Sequence, residues 1–350
     1  MGNCITHSPK GAINSKPPIV PPRDSAVAKK PEAAVKIQAP PDSAFSLYFR
    51  YALHLKSVPY RLIPSEDATL LIINNDSLCG SRESLLRILD ERFPYPRYPR
   101  LVPAAGSMYR KEGSLLLLLL EGQTTPLVVR MVALHHHSIA WHLERLVRWV
   151  EDLKSFGSGS MKDSKKRNVE TEKGDMKKEL KLFSESYNCL LDVLMEHAQM
   201  EERIVFPVLD TADQGLCEAA NEEHGRHFPI MNGIKEVIKV VQVLPIGGPD
   251  HEEALSDLLS RMKSLEKRCK VHFEEEERDV LPLMEAVDMS GEEQNKMVER
   301  CVDQMQASHS RLFPFLIEGL LPFQTMLYFD LLISCKDHPQ ASWMLRRVVH

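Results

Sequence analysis

The sequence predicts a mainly α protein whose centre is an up-down four-helix bundle over residues 126–288. Four long segments repeat apolar residues at alternating steps of three and four, which is the spacing of one buried helix face. Each of these four stripes also contains ionisable residues. Two of the segments repeat one unit, a histidine followed four residues later by a glutamate, and each unit is followed by a similar tail. Ionisable side chains on the buried faces of four helices predict a functional site in the interior of the bundle.

The composition limits the classes of function that the chain can have. Of its 350 residues, 27% are charged and 43% are hydrophobic, which is ordinary for a globular protein. A net charge of −5 gives no basic footprint, so we expect no nucleic-acid partner. The seven cysteines form no CxxC pair, which favours a reducing compartment over a disulfide framework. No apolar run approaches 18 residues, and no signal peptide is expected.

Residues 1–33 are rich in proline, lysine and small residues, and they predict a disordered tether. The chain begins MGNCIT, in which Gly2 and Thr6 match the N-myristoylation pattern. One myristate binds membranes only marginally, and Cys4 is placed to supply a second anchor by palmitoylation. The alternative is a chance glycine at position 2. Lipidation at Gly2 and Cys4 would place the protein at the cytoplasmic face of a membrane, for which we expect the plasma membrane.

Residues 34–100 predict a small α/β domain. AVKIQAP reads as a strand, SAFSLYFRYALHLK as a helix, PYRLIP and TLLIINND as two strands, and SRESLLRILDERF as a helix that Pro94 ends. This order resembles the thioredoxin-like N-terminal half of glutathione transferases, and SAFSLYFRYALHLKSVPY is similar to the start of the plant tau-type enzymes. Ser43 falls where those enzymes have their catalytic serine.

Two departures from the transferase pattern concern the glutathione site. The strand TLLIINN lacks the proline that normally introduces the glutathione-contacting edge. The link from Pro64 to Thr69 is too short for the usual intervening helix. We therefore expect a retained fold with a lost or altered site, since a fold does not by itself carry a function.

Residues 101–125 are interpreted as a connector, residues 156–178 as a long disordered loop within the bundle, and residues 289–350 as a helical extension. Between them run the four stripes that define the inward faces of the bundle. The first stripe is Val132, His136, Ile139, Leu143, Leu146, Val150 and Leu153. The second is Phe183, Tyr187, Leu190, Leu194, His197, Glu201, Ile204 and Val208. The third is Ala220, His224, His227, Met231, Ile234, Ile238 and Val241. The fourth is Leu258, Met262, Leu265, Cys269, His272, Glu276, Val280, Leu283 and Val287.

The repeated histidine–glutamate unit predicts a metal centre. His197 and Glu201 lie one helical turn apart, as do His272 and Glu276, so both members of each pair can reach one centre. At about 1.5 Å of rise per residue, histidines of the other two helices reach a similar depth in the bundle. A buried carboxylate is costly unless it is paired or bound to a metal. A shared metal site explains why all four stripes carry such residues.

The same segments resemble the hemerythrin-like, HHE-type cation-binding domains. HHHSIAWHLERL is similar to their first helix, HAQMEERIVFPVLD to the second, NEEHGRHF to the third and VHFEEEERDVLPLME to the fourth. The version is nearest the plant proteins, and the resemblance extends to about residue 335. The resemblance implies as metal ligands His136, His197, Glu201, His224, His272 and Glu276. Hemerythrins have a second histidine four residues on in helix three, where this chain has Phe228, so His227 is a further candidate.

Two bridging carboxylates with several imidazoles suit a pair of iron ions, as in other carboxylate-bridged bundles. A single tetrahedral zinc would leave ligands over, so zinc is the weaker alternative. Three functions remain open: an iron-binding protein that senses or handles iron, oxygen or nitric oxide; an enzyme, either a di-iron oxidase or a glutathione-transferase-like one; or a scaffold that the metal stabilises. Near the metal site the sequence shows no proton donor or nucleophile that would favour the enzyme.

The other polar residues of the bundle have plainer interpretations. His135 and His137 are expected to face a neighbouring helix or solvent, and Cys269 to be a core thiol. A solvated face is expected for Glu274, Glu275 and Glu277. Surface positions are expected for His142, His251, His309 and His338.

Overall fold

A computed structural model describes residues 34–66, 68–94, 97, 99–102, 125–158, 169–211, 215, 217–335 and 338–349. The fold is mainly helical, with a small sheet near the amino terminus, and the predicted fold class is confirmed. The tether at residues 1–33, with Gly2 and Cys4, and most of the connector lie outside the described residues. Among the residues described, the structure contains no helix with the length and apolar character needed to cross a bilayer.

The amino-terminal sheet has four strands in the order β2-β1-β3-β4. The elements are β1 (Val35–Ala39), α1 (Ala44–Leu55), β2 (Tyr60–Pro64), β3 (Leu70–Ile73), β4 (Asp76–Leu78) and α2 (Arg82–Arg92). Strand β1 pairs parallel to β2 and antiparallel to β3. The predicted single strand TLLIINND is instead a hairpin, because Asn74 and Asn75 have positive φ and form a two-residue turn.

The Ser43 hydroxyl caps helix α1. Its oxygen accepts from the backbone N–H of Ser46 at 3.2 Å and donates to the carbonyl of Pro40 at 2.8 Å. A serine at this position satisfies an amide that the first helical turn would otherwise leave unpaired. The local role of Ser43 is therefore that of a helix cap.

The bundle is formed by four long helices and the short segments that complete two of them. These are α3 (Leu127–Ser158), α4 (Val169–Met200), α5 (Phe206–Asp210), α6 (Glu218–Val243) and α7 (Pro249–Glu275). A π-helical turn, Glu201–Val205, joins α4 to α5, and a second one, Glu276–Val280, follows α7 and leads into a 3₁₀ segment, Leu281–Ala286. The loop predicted over residues 156–178 is too long, because α3 continues to Ser158 and α4 already begins at Val169.

The predicted inward faces are largely correct. Every residue of the first and third stripes is buried. The fourth stripe fails at its end, where Leu283 is 42% exposed. The π turn and the 3₁₀ segment before Leu283 change the angular step per residue, so the α-helical periodicity no longer predicts which side faces inward.

Four carboxy-terminal helices follow the bundle: α8 (Gly291–Gln304), α9 (Phe313–Glu318), α10 (Pro322–Cys335) and α11 (His338–Val349). The first three pack against the bundle, and α10 and α11 contact α1 of the sheet domain. Gly319 lies against Ser138 of α3, where a Cβ atom would come within 2.5 Å of the serine oxygen. Asp330 of α10 accepts a hydrogen bond from the Tyr48 hydroxyl at 2.9 Å and pairs with Arg82. Both the bundle and the sheet domain are therefore anchored to the extension.

These covering helices explain why two histidines predicted at the surface, His142 and His309, are buried. His142 is 1% exposed, His309 is 3% exposed and His251 is 2% exposed, so the surface prediction is wrong for all three. His142 stacks on Phe315 of α9 with ring centroids 3.7 Å apart, and its Nε2 lies 2.7 Å from the Phe315 carbonyl. His338 lies outside the residues whose side chains are described.

Burial makes His142 a source of acid sensitivity. Desolvation lowers the pKa of its imidazole to about 3, against 6.5 for an ordinary histidine. Its contribution to stability is complete above pH 6.5 and is lost as the pH falls from 6.5 toward 3, at up to about 1.4 kcal/mol per pH unit. We expect His142→Gln, which can still donate to the Phe315 carbonyl, to flatten the acid limb of unfolding free energy against pH. An acid limb of unchanged slope would assign the loss to other groups.

Candidate metal centre

Each repeated unit places its glutamate at the first residue of a π turn. Glu201 and Glu276 both begin such turns, and the N–H groups of Phe206 and Leu281 bond back five residues to their carbonyls. Proline follows directly at positions 207 and 282. Because proline cannot donate and its ring collides with the carbonyl four residues earlier in an α-helix, the wider turn relieves both problems. The sequence thus locally dictates a helix distortion beside each glutamate.

The six predicted ligands meet in the interior. His136 Nε2 lies 3.4 Å from Glu201 Oε1 and 3.3 Å from Glu276 Oε2. Within the repeated units, Nε2 of His197 is 3.4 Å from Glu201 Oε2, and that of His272 is 3.3 Å from Glu276 Oε1. His224 Nε2 lies 3.5 Å from Glu201 and 3.9 Å from Glu276. Both glutamates therefore contact histidines of more than one helix.

The six side chains divide into two triads, each with two histidines and one glutamate. His136, His197 and Glu201 form the first, and the second consists of His224, His272 and Glu276. In each triad, one possible ligand atom per residue lies within 4.8 Å of the others. All six residues are buried. Such an arrangement can hold one metal ion per triad, with the glutamates between them.

The polar atoms facing the centre lack hydrogen-bond partners among the described residues. The atoms without a partner are all four carboxylate oxygens of Glu201 and Glu276, together with Nε2 of His136, His197 and His272. Leaving so many buried polar atoms unsatisfied would be strongly destabilising. Two atoms that each lie about 2.1 Å from one ion, near the tetrahedral angle, are separated by about 3.4 Å. The contacts of 3.3 to 3.5 Å fit donors directed at a common cation.

The protonation equilibria of the centre also suit a cation. Burial and the neighbouring Glu276 raise the pKa of Glu201 to about 8, so the Glu201 carboxylate resists carrying its charge without a nearby cation. Burial lowers the pKa of His224 to about 4 and that of His272 to about 3, which leaves both imidazoles neutral. Burial also opposes protonation of His136, but three carboxylates around it raise its pKa well above the ordinary value. Neutral imidazole is the form that binds metals.

A second carboxylate orients a histidine in each half of the site. Glu277 Oε1 lies 3.1 Å from His136 Nδ1, and Glu202 Oε1 lies 3.0 Å from His224 Nδ1. A carboxylate on the far nitrogen fixes the ring and directs the other nitrogen toward the ion. The prediction that Glu277 belongs to a solvated face is therefore wrong. Glu202 and Glu277 each directly follow a predicted ligand glutamate, in HAQMEE and HFEEEE, and this position in the sequence is the signal that could have identified them.

His227 is buried but belongs to neither triad. Its Nε2 is 4.0 Å from Glu223, and its ring centroid is 5.4 Å from that of His272. A small cavity of about 20 Å³ lies beside His227, and it is lined by His197, His224, His272 and six apolar or thiol side chains. That volume accommodates one molecule of about the size of water. Cys269 borders it, and burial raises the pKa of its thiol to about 12, as for a core thiol.

The comparison with known families agrees with this geometry. Residues 127–284 match the hemerythrin HHE cation-binding domain. The HHE match runs from α3 into the 3₁₀ segment that follows the second π turn, which is somewhat less than half of the chain, and it encloses all six residues of the two triads. No curated protein and no solved structure gives a significant match to the chain. The sheet domain and the carboxy-terminal helices lie outside the HHE match.

Proposed function

We propose that the HHE domain binds two iron ions, one in each triad, and that Glu201 and Glu276 would be their carboxylate ligands. The observation that carries this proposal is the set of unpartnered, buried ligand atoms on three helices, with His224 of a fourth helix 3.5 Å from Glu201. Without a metal, a protonated His136 balances part of the carboxylate charge, but the other ligand atoms remain buried without partners, which is strongly unfavourable. The match to a cation-binding domain supports the same conclusion.

The donor set favours iron over zinc. Structural zinc takes four ligands in tetrahedral geometry, whereas this centre offers six side chains, two of them carboxylates that can bridge. Carboxylate-bridged pairs of iron ions are the recurring solution in four-helix bundles with such donors. We therefore propose iron, with zinc as the alternative that the metal analysis must exclude.

The small cavity supports a role in sensing or handling iron, oxygen or nitric oxide. It lies against histidines of both triads and accommodates a molecule of about the size of water, which is comparable to a diatomic gas. Iron at this site would supply reversible electron exchange and an affinity for such ligands. The surrounding side chains Leu194, Phe228 and Met231 limit access of bulk water, and the carboxylates hold the imidazoles in their binding tautomers.

An anaerobic titration with ferrous iron tests the proposal. We expect saturation at two iron ions per chain, followed by an optical change when oxygen or nitric oxide is admitted. The matched titration with zinc should saturate more weakly or at a different stoichiometry. Tight binding of one zinc with no iron retained would overturn the iron assignment.

We also propose that the amino-terminal segment tethers the protein to a membrane through acyl groups on Gly2 and Cys4, at the cytoplasmic face. Myristate attaches only to an amino-terminal glycine, so Gly2→Ala should move the protein from the membrane fraction to the soluble fraction. Cell fractionation with an antibody measures this shift. Gly11→Ala is the matched control and should leave the distribution unchanged. Equal membrane fractions for wild type and Gly2→Ala would reject lipidation.

The sheet domain is proposed to be a thioredoxin-like module without glutathione chemistry. Its strand order, with β1 parallel to β2 and β3 and β4 antiparallel, supports that fold. The hydroxyl of Ser43 is engaged as a helix cap rather than aimed at a substrate. The sheet domain contacts helices α10 and α11, and these contacts favour a role in supporting the metal domain.

A further inference from the structure

A buried tyrosine from the carboxy-terminal extension lies between two histidines close to the metal centre. Tyr328 of α10 has no exposed surface. Its hydroxyl lies 2.7 Å from His135 Nε2 on α3 and 2.5 Å from His309 Nε2 in the segment before α9. Neither histidine is among the six proposed ligands. The three side chains form a hydrogen-bonded chain that the metal site, as described, does not require.

The direction of these hydrogen bonds follows from the partners of His309. Its Nδ1 lies 2.9 Å from the Met305 carbonyl, which can only accept, so the proton of a neutral His309 is on Nδ1. Nε2 of His309 is then a lone pair, and the Tyr328 hydroxyl donates to it. The Tyr328 oxygen in turn accepts from Nε2–H of His135. The phenolic proton of Tyr328 therefore already points at a base.

The imidazole ring of His135 connects Tyr328 to the metal centre. The His135 ring packs edge-on against His197, with centroids 5.7 Å apart, and its centroid lies 5.5 Å from that of Tyr328. His197 belongs to the first triad. An electron leaving Tyr328 can thus reach a proposed ligand by crossing the single intervening ring of His135.

The base is held in place by the bundle. Glu196, the residue before His197, accepts hydrogen bonds from the backbone N–H groups of Ala307 and Ser308, both at 2.8 Å. This contact fixes the turn that carries His309. On its outer side His309 borders a surface groove of about 500 Å³, whose walls include Gln306, Gln340 and Trp343. Tyr328 is therefore in the interior, while His309 lines the groove at the surface.

Another buried tyrosine shows what a purely structural partner looks like. Tyr187 is 1% exposed and donates to the Met231 carbonyl at 2.8 Å. A carbonyl oxygen satisfies the hydroxyl but is far too weak a base to take its proton. Tyr328 instead has an imidazole on the donor side and a second imidazole on the acceptor side. The difference indicates a role in moving a proton together with an electron.

We infer that Tyr328 is a redox-active residue that donates one electron to the oxidised metal centre while its phenolic proton moves to Nε2 of His309. The inference rests on the proposed iron site and names hydrogen peroxide as the oxidant. One peroxide takes one electron from a ferrous ion and, through the metal centre, one from Tyr328, so that its O–O bond breaks and two hydroxide ions form. The other products are a ferric ion, a neutral tyrosyl radical and protonated His309. Without a base, oxidation would leave a buried radical cation, which the interior disfavours.

Rapid freeze-quench electron paramagnetic resonance tests this inference. Ferrous-loaded full-length protein is mixed with hydrogen peroxide, and its iron content is measured in the same sample. We expect an organic radical whose hyperfine structure narrows when the protein carries ring-deuterated tyrosine. Tyr328→Phe should bind the same amount of iron and lose the radical. Tyr187→Phe is the matched control and should retain it.

His309→Gln keeps a hydrogen-bonding group but removes the base, so the radical yield should fall at least about tenfold. This variant and the deuterated wild type decide the question even if Tyr328→Phe fails to fold. Iron-loaded wild type without a tyrosyl radical, or an equal radical in Tyr328→Phe, would overturn the inference and leave the iron site intact. A wild type that binds no iron would overturn both.

Discussion

Replacing Glu201 or Glu276 with glutamine should reduce bound iron from two ions per chain to one or none. Each carboxylate contacts histidines from more than one helix, so each is positioned to serve both ions. Glutamine preserves the shape but removes the negative charge and the second anionic oxygen. The loss should therefore exceed that expected for a ligand to a single ion. Metal analysis of the purified variants after saturation and desalting measures it.

Two further variants separate the loss of a metal ligand from a general loss of folding. Glu277→Gln weakens the orienting contact to His136 without touching the ion, so we expect affinity to fall about 10- to 100-fold at unchanged stoichiometry. Glu275→Gln is the matched control, because Glu275 is exposed on the same helix, and it should bind iron as the wild type does. Equal losses for Glu201→Gln and Glu275→Gln would contradict the proposed centre.

Removing the metal should destabilise the folded chain substantially. A ligand present at 1,000 times its dissociation constant adds about 4 kcal/mol to the free energy of unfolding. For a domain of this size that corresponds to a fall of roughly 8–15 °C in unfolding temperature after chelation. Without the ions, the unpartnered atoms of Glu201, Glu276 and their histidines remain buried at their full desolvation cost.

Calorimetry of loaded and chelated protein measures that difference. In Glu201→Gln the difference between the loaded and chelated samples should largely disappear, because the variant has little metal to lose. An unfolding temperature that does not respond to chelation in the wild type would mean that the buried triads are satisfied in some other way.

The sequence was sufficient to predict which interior residues come together in the candidate metal centre. His197 and Glu201, like His272 and Glu276, are related by a local spacing of four, and helical periodicity alone determines that they share a face. The structure brings all six predicted residues together. Local spacing also decides the apolar stripes, which is why the first and third stripes are buried throughout.

The sequence could not reveal what depends on distant segments. His142 and His309 look like surface histidines because nothing near them in the chain indicates the helices that cover them. The contact of Tyr328 with His135 joins residues 193 positions apart, and no periodicity predicts such a pair. The turn at Asn74 and Asn75 could have been predicted, since asparagine tolerates positive φ. The apolar run before it favoured one continuous strand instead of two strands joined by a turn.

The two π turns lie at equivalent positions of the repeated histidine–glutamate unit. A π turn is an α-helix into which one residue has been inserted, and here it occurs at the same step of both units, in the segments EERIV and EERDV. The extra residue falls directly after each glutamate, so both carboxylates lie where the regular α-helix ends. The two halves of the site, each with two histidines and one glutamate, therefore share one local backbone distortion.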